Sequence, residues 1–331
     1  MARVLVTGGA GFIGSHVADA LIGRGHEVVV FDDLSGGFED NVPGPARLVT
    51  GSVSDAAAVD RLFDENAFDY VYHLAAYAAE GLSHFIRRFN YTNNVIGSVN
   101  LINAAVNHDV KGFVFTSSIA VYGGAAGTFS EDTPEHPEDP YGIAKLAVEQ
   151  DLQCARDMFG LRFLVFRPHN VYGPRQNIGD RYRNVVGIFM NQILRGQPMT
   201  IFGDGTQTRA FSYIDDVAPV MAEAIEHEPA WDRVFNVGAD QPFTLNQLAA
   251  AVARAMGVEA AVVHLPARAE VRDAHSTHAR LAAVFGQRPT TTLEDGLGHM
   301  AAWARSHGAR EGTAFEGIEV ARNLPTAWRR T

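Results

Sequence analysis

Short apolar runs alternate with segments of helical periodicity through the first half of the chain. The runs are rich in valine, leucine and phenylalanine, as in strands that are buried on both faces of a sheet. The segments between them repeat apolar residues every three or four positions, which indicates helices. This alternation predicts an α/β fold of the Rossmann type, with a doubly wound parallel sheet. We expect strands at residues 3–7, 27–31, 70–74, 112–116 and 161–167, and helices at 13–24, 94–107 and 141–159.

The pattern becomes less regular after about residue 175. A helix is expected at 185–195, a strand at 198–202 and a second helix at 245–256, with Thr244 as its N-cap. We therefore predict a dinucleotide-binding domain over 1–174, to which part of the later chain returns. A smaller α/β substrate domain is predicted over 175–308. Residues 309–331 show no clear pattern and are expected to form a loose tail.

Composition narrows the classes of function. The 331 residues carry a net charge of −11, and no basic face is visible, so nucleic acid is not an expected partner. No apolar run approaches the ~18 residues of a membrane span, and a strand pattern begins at once, without a signal peptide. The single cysteine, Cys154, excludes an internal disulfide framework. These features predict a cytoplasmic protein.

A glycine-rich turn, residues 7–14, follows the first strand and opens the first helix. Glycines there allow a tight turn and a close approach to a pyrophosphate at the helix N-terminus. Asp32 ends the second strand, where a carboxylate can bind a ribose 2′-hydroxyl and disfavours a 2′-phosphate. The turn and the acid together predict NAD as the cofactor.

A tyrosine and a lysine lie four residues apart on the predicted helix 141–159. Only two of the 27 basic residues are lysines, Lys111 and Lys145, and lysine can tune a proton transfer where arginine cannot. The Lys145 ammonium is expected to lower the pKa of Tyr141 and make the phenol a usable acid/base. Ser117 and Ser118 end the strand before it and can share the proton. The histidines show no metal-binding pattern, so no metal site is predicted.

With these motifs in place, residues 2 to about 300 resemble the extended short-chain dehydrogenase/reductase superfamily. The resemblance is specifically to nucleotide-sugar epimerases of the UDP-glucose 4-epimerase type. It rests on motifs that occur in the family's order, at residues 7–14, 32–35, 73–76, 117–123, 141–145, 167–174 and 202–209.

The resemblance implies NAD-dependent 4-epimerisation of a nucleotide-diphosphate sugar. Tyr141 would remove the proton of the sugar 4-hydroxyl as hydride passes to NAD, Ser118 would share that proton, and Lys145 would also hold the nicotinamide ribose. The 4-keto sugar would turn and take the hydride back on its other face. The implied cofactor-binding residues are Gly8, Gly11, Phe12, Ile13, Gly14, Asp32, Asp33, Leu34, Ser35, Gly36, Ser52, Val53, Leu74, Ala75, Ala76, Asn94, Ser117, Tyr141, Lys145, Pro168 and His169.

The second half would bind the nucleotide-sugar substrate, most simply a UDP-sugar. The choice between Arg268 and Arg272 for one family arginine stays open, with Arg272 preferred. The family also implies a homodimer formed by the helices near 94–107 and 141–159. The implied substrate-binding residues are Ser118, Tyr141, Asn170, Asn184, Val185, Thr200, Ile201, Phe202, Arg209 and Arg272.

Departures from the family pattern separate the possible reactions. Related 4,6-dehydratases carry an Asp-Glu pair where this chain has Ile119 and Ala120, and a related 3,5-epimerase needs a cysteine at 120. Both absences favour simple 4-epimerisation. A dehydrogenase or reductase on the same scaffold stays open as an alternative, as does a non-catalytic nucleotide-binding protein. Glu80 is expected to face solvent, and Arg175, Arg181 and Arg183 to form a solvated loop rather than a uronic acid site.

Overall fold

The structure is a computed structural model that describes residues 1–124, 127–268, 271–312 and 315–328. Seven parallel strands form the central sheet, in the order β11-β6-β5-β4-β1-β2-β3. This confirms the predicted Rossmann-type α/β fold. The strands of this sheet are β1 (Arg3–Thr7), β2 (Glu27–Asp32), β3 (Arg47–Thr50), β4 (Tyr70–His73), β5 (Gly112–Thr116), β6 (Phe163–Pro168) and β11 (Arg233–Val237).

Helices cover both faces of the sheet, because successive strand residues point to opposite sides. Val4 and Val6 of β1 face a core shared with α1 and α8, whereas Leu5 between them faces a core shared with α2, α5 and α6. The helices are α1 (Phe12–Gly23), α2 (Ala56–Asp64), α3 (Glu80–Ser83), α4 (Arg87–Tyr91), α5 (Gly97–Asn107), α6 (Pro140–Phe159), α7 (Val185–Leu194), α8 (Ile214–Glu223), α9 (Leu245–Met256), α10 (Ala279–Phe285) and α11 (Leu293–His307).

The second half of the chain contributes to both parts of the molecule. Strand β11 completes the central sheet beside β6, and α8 packs against α1. The other strands form three small sheets: β7 with β10, β8 with β13, and β9 between β12 and β14. Their bounds are β7 (Val171–Tyr172), β8 (Met199–Phe202), β9 (Thr208–Ala210), β10 (Ser212–Tyr213), β12 (Pro242–Thr244), β13 (Val262–Leu265) and β14 (Asp273–Ala274).

The expectation of a loose tail is wrong for residues 315–328. Leu324 and Trp328 are buried in a cluster with Leu82, Ile86 and Tyr182. The segment shows no periodicity because its only regular element is one 3₁₀ turn at 326–328, and aromatic side chains hold it instead. Among the helices that the structure describes, none is long and apolar enough to cross a membrane.

Candidate active site

A cavity of about 1040 Å³ opens at the carboxyl ends of the central strands. Ligands bind at this edge in open α/β sheets. Residues of both halves line it, and their charges differ between the halves. The first half contributes the acidic side chains Asp32, Asp33, Glu80, Glu138 and Asp139, whereas the second contributes Arg181, Arg183, Arg195, Arg209 and Arg268 together with Asp180.

The glycine-rich turn forms one end of the cavity. A Cβ atom on Gly14 would collide with the carbonyl oxygen of Gly8, and one on Gly8 would lie 2.6 Å from the backbone nitrogen of Ala75. Gly11, the N-cap of α1, supplies no side-chain cap, so the first N–H groups of this helix are open to a ligand. The turn therefore fits a pyrophosphate at the helix N-terminus.

Asp32 lies beside this turn at the end of β2. Its carboxylate accepts hydrogen bonds from the backbone N–H groups of Ala10 (3.0 Å) and Leu34 (2.8 Å). Burial raises the pKa of Asp32, and these N–H groups oppose that effect. A carboxylate fixed in this way can accept hydrogen bonds from ribose hydroxyls and repels a phosphate, which fits NAD.

Tyr141 lies in the first turn of α6 and lines the cavity. Asp139 caps the helix by accepting from the backbone N–H of Gly142 at 2.9 Å, and Pro140 occupies the first turn. The Tyr141 side chain is buried and hydrogen-bonded to Ser118. Burial raises the pKa of Tyr141 well above its usual value, and the charge of Glu80 adds to that effect, whereas the Ser118 hydrogen bond lowers it.

Lys145 lies one turn further along α6, as the spacing predicts. Its Nζ donates to the carbonyl oxygen of Thr116 at 2.7 Å and lies 5.7 Å from the centre of the Tyr141 ring. Burial lowers the pKa of Lys145 to about 7, against the opposing charge of Glu149. The expectation that Lys145 lowers the pKa of the phenol is therefore wrong for the protein alone, because burial dominates both groups.

The sequence model of the NAD dependent epimerase/dehydratase family matches residues 4–238. The chain belongs to this family. A UDP-glucose 4-epimerase of Mycolicibacterium smegmatis is 36% identical over 89% of this chain and 96% of its own. The crystal structure of a Thermotoga maritima UDP-glucose 4-epimerase with UDP-glucose is 36% identical, covers 92% of this chain and 99% of its own, and superposes with a TM-score of 0.87.

A third relative shows the range of substrates in the family. A dTDP-L-rhamnose 4-epimerase of Burkholderia thailandensis is 30% identical over 91% of this chain and 94% of its own. The chain is thus an NAD-dependent enzyme of the nucleotide-sugar epimerase type, and the similarity leaves its sugar and base open.

Most of the predicted site residues of this family member line the cavity. On the cofactor side they are Gly8, Gly11, Phe12, Ile13, Gly14, Asp32, Asp33, Ser35, Gly36, Val53, Leu74, Ala75, Ala76, Ser117, Lys145 and Pro168. On the substrate side they are Ser118, Tyr141, Asn170, Asn184, Val185, Thr200, Ile201, Phe202 and Arg209. The cavity thus brings together residues that lie up to about 200 positions apart in the chain.

Three predicted cofactor residues lie outside the cavity lining but next to residues that line it. Asn94 accepts from the backbone N–H of Tyr77 at 2.9 Å and so fixes the loop after β4, which lines the cavity. The Ser52 hydroxyl is within 3.0 Å of the Ser54 hydroxyl. Leu34, at a positive φ of 61°, contributes the backbone N–H that holds Asp32.

His169 and Arg272 also lie outside the lining, for different reasons. The His169 ring turns away from the cavity, with its Nδ1 3.2 Å from the Ala210 carbonyl and its Nε2 3.2 Å from Nε2 of His278. Arg272 is exposed, and its carbonyl accepts a hydrogen bond from the Arg209 guanidinium at 2.9 Å. Arg268 lines the cavity instead, so the preference for Arg272 over Arg268 is not supported by the geometry.

Three charged residues that the sequence assigned to solvent also line the cavity, namely Glu80, Arg181 and Arg183. Glu80 is exposed yet close enough to raise the pKa of Tyr141. The Arg183 guanidinium pairs with Asp180 at 2.6 Å and lies over the Tyr77 ring at 4.8 Å.

Ser117 illustrates a contact that no local motif reveals. Its hydroxyl donates to Glu149, two turns beyond Tyr141 on α6, and Glu149 forms a buried ion pair with Arg167 at 2.5 Å. These three side chains are almost fully buried. The hydroxyl of Ser117 therefore ties β5 to α6, which leaves Ser118 as the hydroxyl beside Tyr141.

Proposed function

We propose that the protein catalyses the 4-epimerisation of a UDP-sugar through a transient 4-keto intermediate, with NAD regenerated in every turnover. One observation carries the proposal: the buried trio Ser118, Tyr141 and Lys145 meets in the cavity, while Ile119 and Ala120 hold no acid or base. A dehydratase needs such a pair to move a second proton, and a 4-epimerase does not. NAD, when bound, supplies a reversible hydride acceptor.

The protein's own groups then move one proton. Tyr141 takes the proton of the sugar 4-hydroxyl and later returns it, and the Ser118 hydroxyl shares it. Because burial keeps the phenol protonated in the protein alone, we expect it to become a base only in the ligand-bound enzyme. Lys145 lies beside Tyr141 and has a pKa of about 7, so its amine can gain or lose a proton near neutral pH when the charge of the phenol changes.

The second half is suited to a nucleotide diphosphate. Its arginines bring positive charge into the cavity of a chain whose net charge is −11. Arg209 is rigidly placed, because its guanidinium donates to the carbonyls of Thr208 (2.7 Å) and Val271 (2.5 Å). Arg209 therefore brings a fixed positive charge to the cavity, which suits an anionic diphosphate. Uridine is our choice of base because the relatives of highest identity named above are UDP-glucose 4-epimerases.

A second copy of the chain is the expected protein partner. Ile96, the N-cap residue of α5, and Ile143, in the first turn of α6, are 49% and 42% exposed, and α5 packs against α6. Exposed large apolar side chains on neighbouring helices favour an interface. We therefore propose a homodimer through the α5 and α6 faces. The cytoplasmic location stays a prediction from the sequence.

A nucleotide-sugar screen without added cofactor tests the proposed reaction. Purified enzyme would be denatured to measure bound NAD, then incubated with UDP-glucose, UDP-N-acetylglucosamine, UDP-glucuronate and dTDP-rhamnose, each followed by proton NMR. The negative charge of Glu80 and the positive charge of Arg183 both influence the pKa of Tyr141. Because charges of both signs lie near the reacting group, the panel includes neutral and uronic sugars. Conversion of at least one UDP-sugar to its 4-epimer is expected. Net accumulation of NADH would instead show a dehydrogenase.

A further inference from the structure

The row of buried polar residues on α6 continues one turn beyond Tyr141 and Lys145. Glu149 follows Lys145 at the same four-residue spacing, which places all three side chains on one side of the helix. Three consecutive residues where β5 ends each contact one member of this row. The contacts are Ser118 with Tyr141, the Thr116 carbonyl with Lys145 at 2.7 Å, and Ser117 with Glu149.

Three donors hold the Glu149 carboxylate in place. The Ser117 hydroxyl and the Nε atom of Arg167 donate to its Oε1, the latter at 3.0 Å, and Nη2 of Arg167 donates to its Oε2 at 2.5 Å. A two-point contact of this kind uses the ionised carboxylate and fixes its orientation. Arg167 is fixed in turn, because Nη2 also pairs with Glu135 at 2.7 Å and the guanidinium lies 4.8 Å from the centre of the Tyr122 ring. Glu149 therefore carries a negative charge at a fixed position.

The surroundings of Lys145 show what this charge does. Burial disfavours the ammonium and the charge of Glu149 opposes that effect, which leaves the pKa of Lys145 at about 7. His73 on β4 also interacts with Lys145, but burial lowers the pKa of His73 to about 3, so its ring is neutral. Tyr141 stays protonated in the protein alone, and from β5 the Phe115 ring faces Nζ at 4.7 Å. Among the charged side chains that the structure describes around Lys145, Glu149 is the one that favours the ammonium.

We propose that Glu149 is a positioning residue for the acid/base pair: its fixed charge, one turn behind Lys145, keeps the lysine ammonium available when the Tyr141 phenol gives up its proton. The inference rests on the proposed function, in which Tyr141 is the base. A neighbouring ammonium stabilises a phenolate, whereas a neutral amine does not. Glu149 lies outside the cavity lining, so it acts on the reaction through Lys145 and Tyr141.

The chain offers a direct measurement of the charge on Lys145. Lys111 and Lys145 are its two lysines, so enzyme labelled with ¹³C at the lysine Cε gives two lysine signals in NMR. Lys111 is exposed and paired with Asp69, and its signal is the internal reference. The Lys145 signal would be followed against pH in the enzyme as purified. Bound NAD would be measured in each sample, so that parent and variants are compared at equal occupancy.

Two substitutions separate the charge of Glu149 from its packing. Glu149→Gln keeps the shape and leaves Arg167 paired with Glu135, but removes the charge. We expect the titration midpoint of Lys145 to fall by about one pH unit, and kcat for the UDP-sugar to fall about tenfold, because one pKa unit changes the ratio of ammonium to amine by that factor. Glu149→Asp keeps the charge and should keep the midpoint close to that of the parent. An unchanged midpoint in Glu149→Gln would overturn the proposal.

Glu135→Gln is the matched control. Glu135 binds the same guanidinium from a half-buried position, but Glu149 is the carboxylate that acts on the pKa of Lys145. The control should therefore leave the Lys145 midpoint and kcat near the parent values. If Glu149→Gln does not fold, the double variant Glu149→Met with Arg167→Met replaces the ion pair by apolar side chains, a change that buried pairs often tolerate. It should also lower the Lys145 midpoint, and a midpoint equal to that of the parent would contradict the proposal.

The titration and the kinetics distinguish failure of this inference from failure of the proposed function. If the parent enzyme converts no UDP-sugar, the proposed function fails, and the lysine titration still decides whether Glu149 sets the charge of Lys145. If the midpoint falls in Glu149→Gln while kcat stays at the parent value, the ammonium is not needed in turnover and the positioning role is refuted.

Discussion

Replacing Lys145 with methionine should stabilise the fold in a pH-dependent way. The ammonium is 3% exposed, and burial lowers its pKa from 10.5 to about 7. At about 1.4 kcal/mol per pKa unit, the charged form of Lys145 lowers the free energy of unfolding by on the order of 5 kcal/mol. The unfolded chain binds more protons than the folded one between pH 7 and 10.5, so stability rises with pH through that window. Linkage then gives a cost of roughly 5 kcal/mol at pH 6 and roughly 2 kcal/mol at pH 9.

Methionine removes this cost and also the hydrogen bond to the Thr116 carbonyl, worth about 1 kcal/mol at any pH. The gain in the free energy of unfolding from Lys145→Met should therefore decrease by roughly 2–3 kcal/mol from pH 6 to pH 9. Urea unfolding of the NAD-free protein, followed by tryptophan fluorescence, measures it. Lys111→Met is the control, because Lys111 is exposed, pairs with Asp69 and has a raised pKa, so it stays charged over this range. An equal gain in the free energy of unfolding at pH 6 and pH 9 would refute the reasoning.

Three further changes test other parts of the account. Tyr141→Phe should lower kcat about a thousandfold with bound NAD unchanged, as initial rates and NAD content would show, and full activity would rule out the mechanism. Gly14→Ala should lower both bound NAD and the melting temperature, because its Cβ meets a carbonyl of the same turn; unchanged NAD content would show that the turn is not the pyrophosphate site. Ile143→Asp should shift a dimer to a monomer in light scattering, whereas a retained dimer would place the interface elsewhere.

The features predicted well from the sequence are local ones. Four-residue spacing on a helix brings Tyr141 and Lys145 to one side, whatever packs around them. A glycine turn between a strand and a helix has few geometries, and Asp32 at the end of the next strand must lie beside it because β1 and β2 pair in parallel. Such positions follow from chain connectivity and the geometry of the parallel sheet.

The features that were missed depend on contacts between distant segments. The pKa of Lys145 is set by burial under residues that its own helix does not reveal. Arg268 rather than Arg272 enters the cavity because Phe202 and Trp328 hold its guanidinium. Residues 315–328 have no periodicity to detect, since Trp328 is placed by aromatic contacts with residues over 100 positions away.

An isotope measurement tests the central claim most directly. The UDP-sugar that the screen identifies would be prepared with deuterium at C4 and converted by the enzyme without added cofactor. If a bound NAD accepts the hydride from C4 and returns it to the same carbon, the 4-epimer will retain the deuterium, as mass spectrometry and NMR would show. Loss of the label to solvent, or its appearance in free reduced cofactor, would contradict the account.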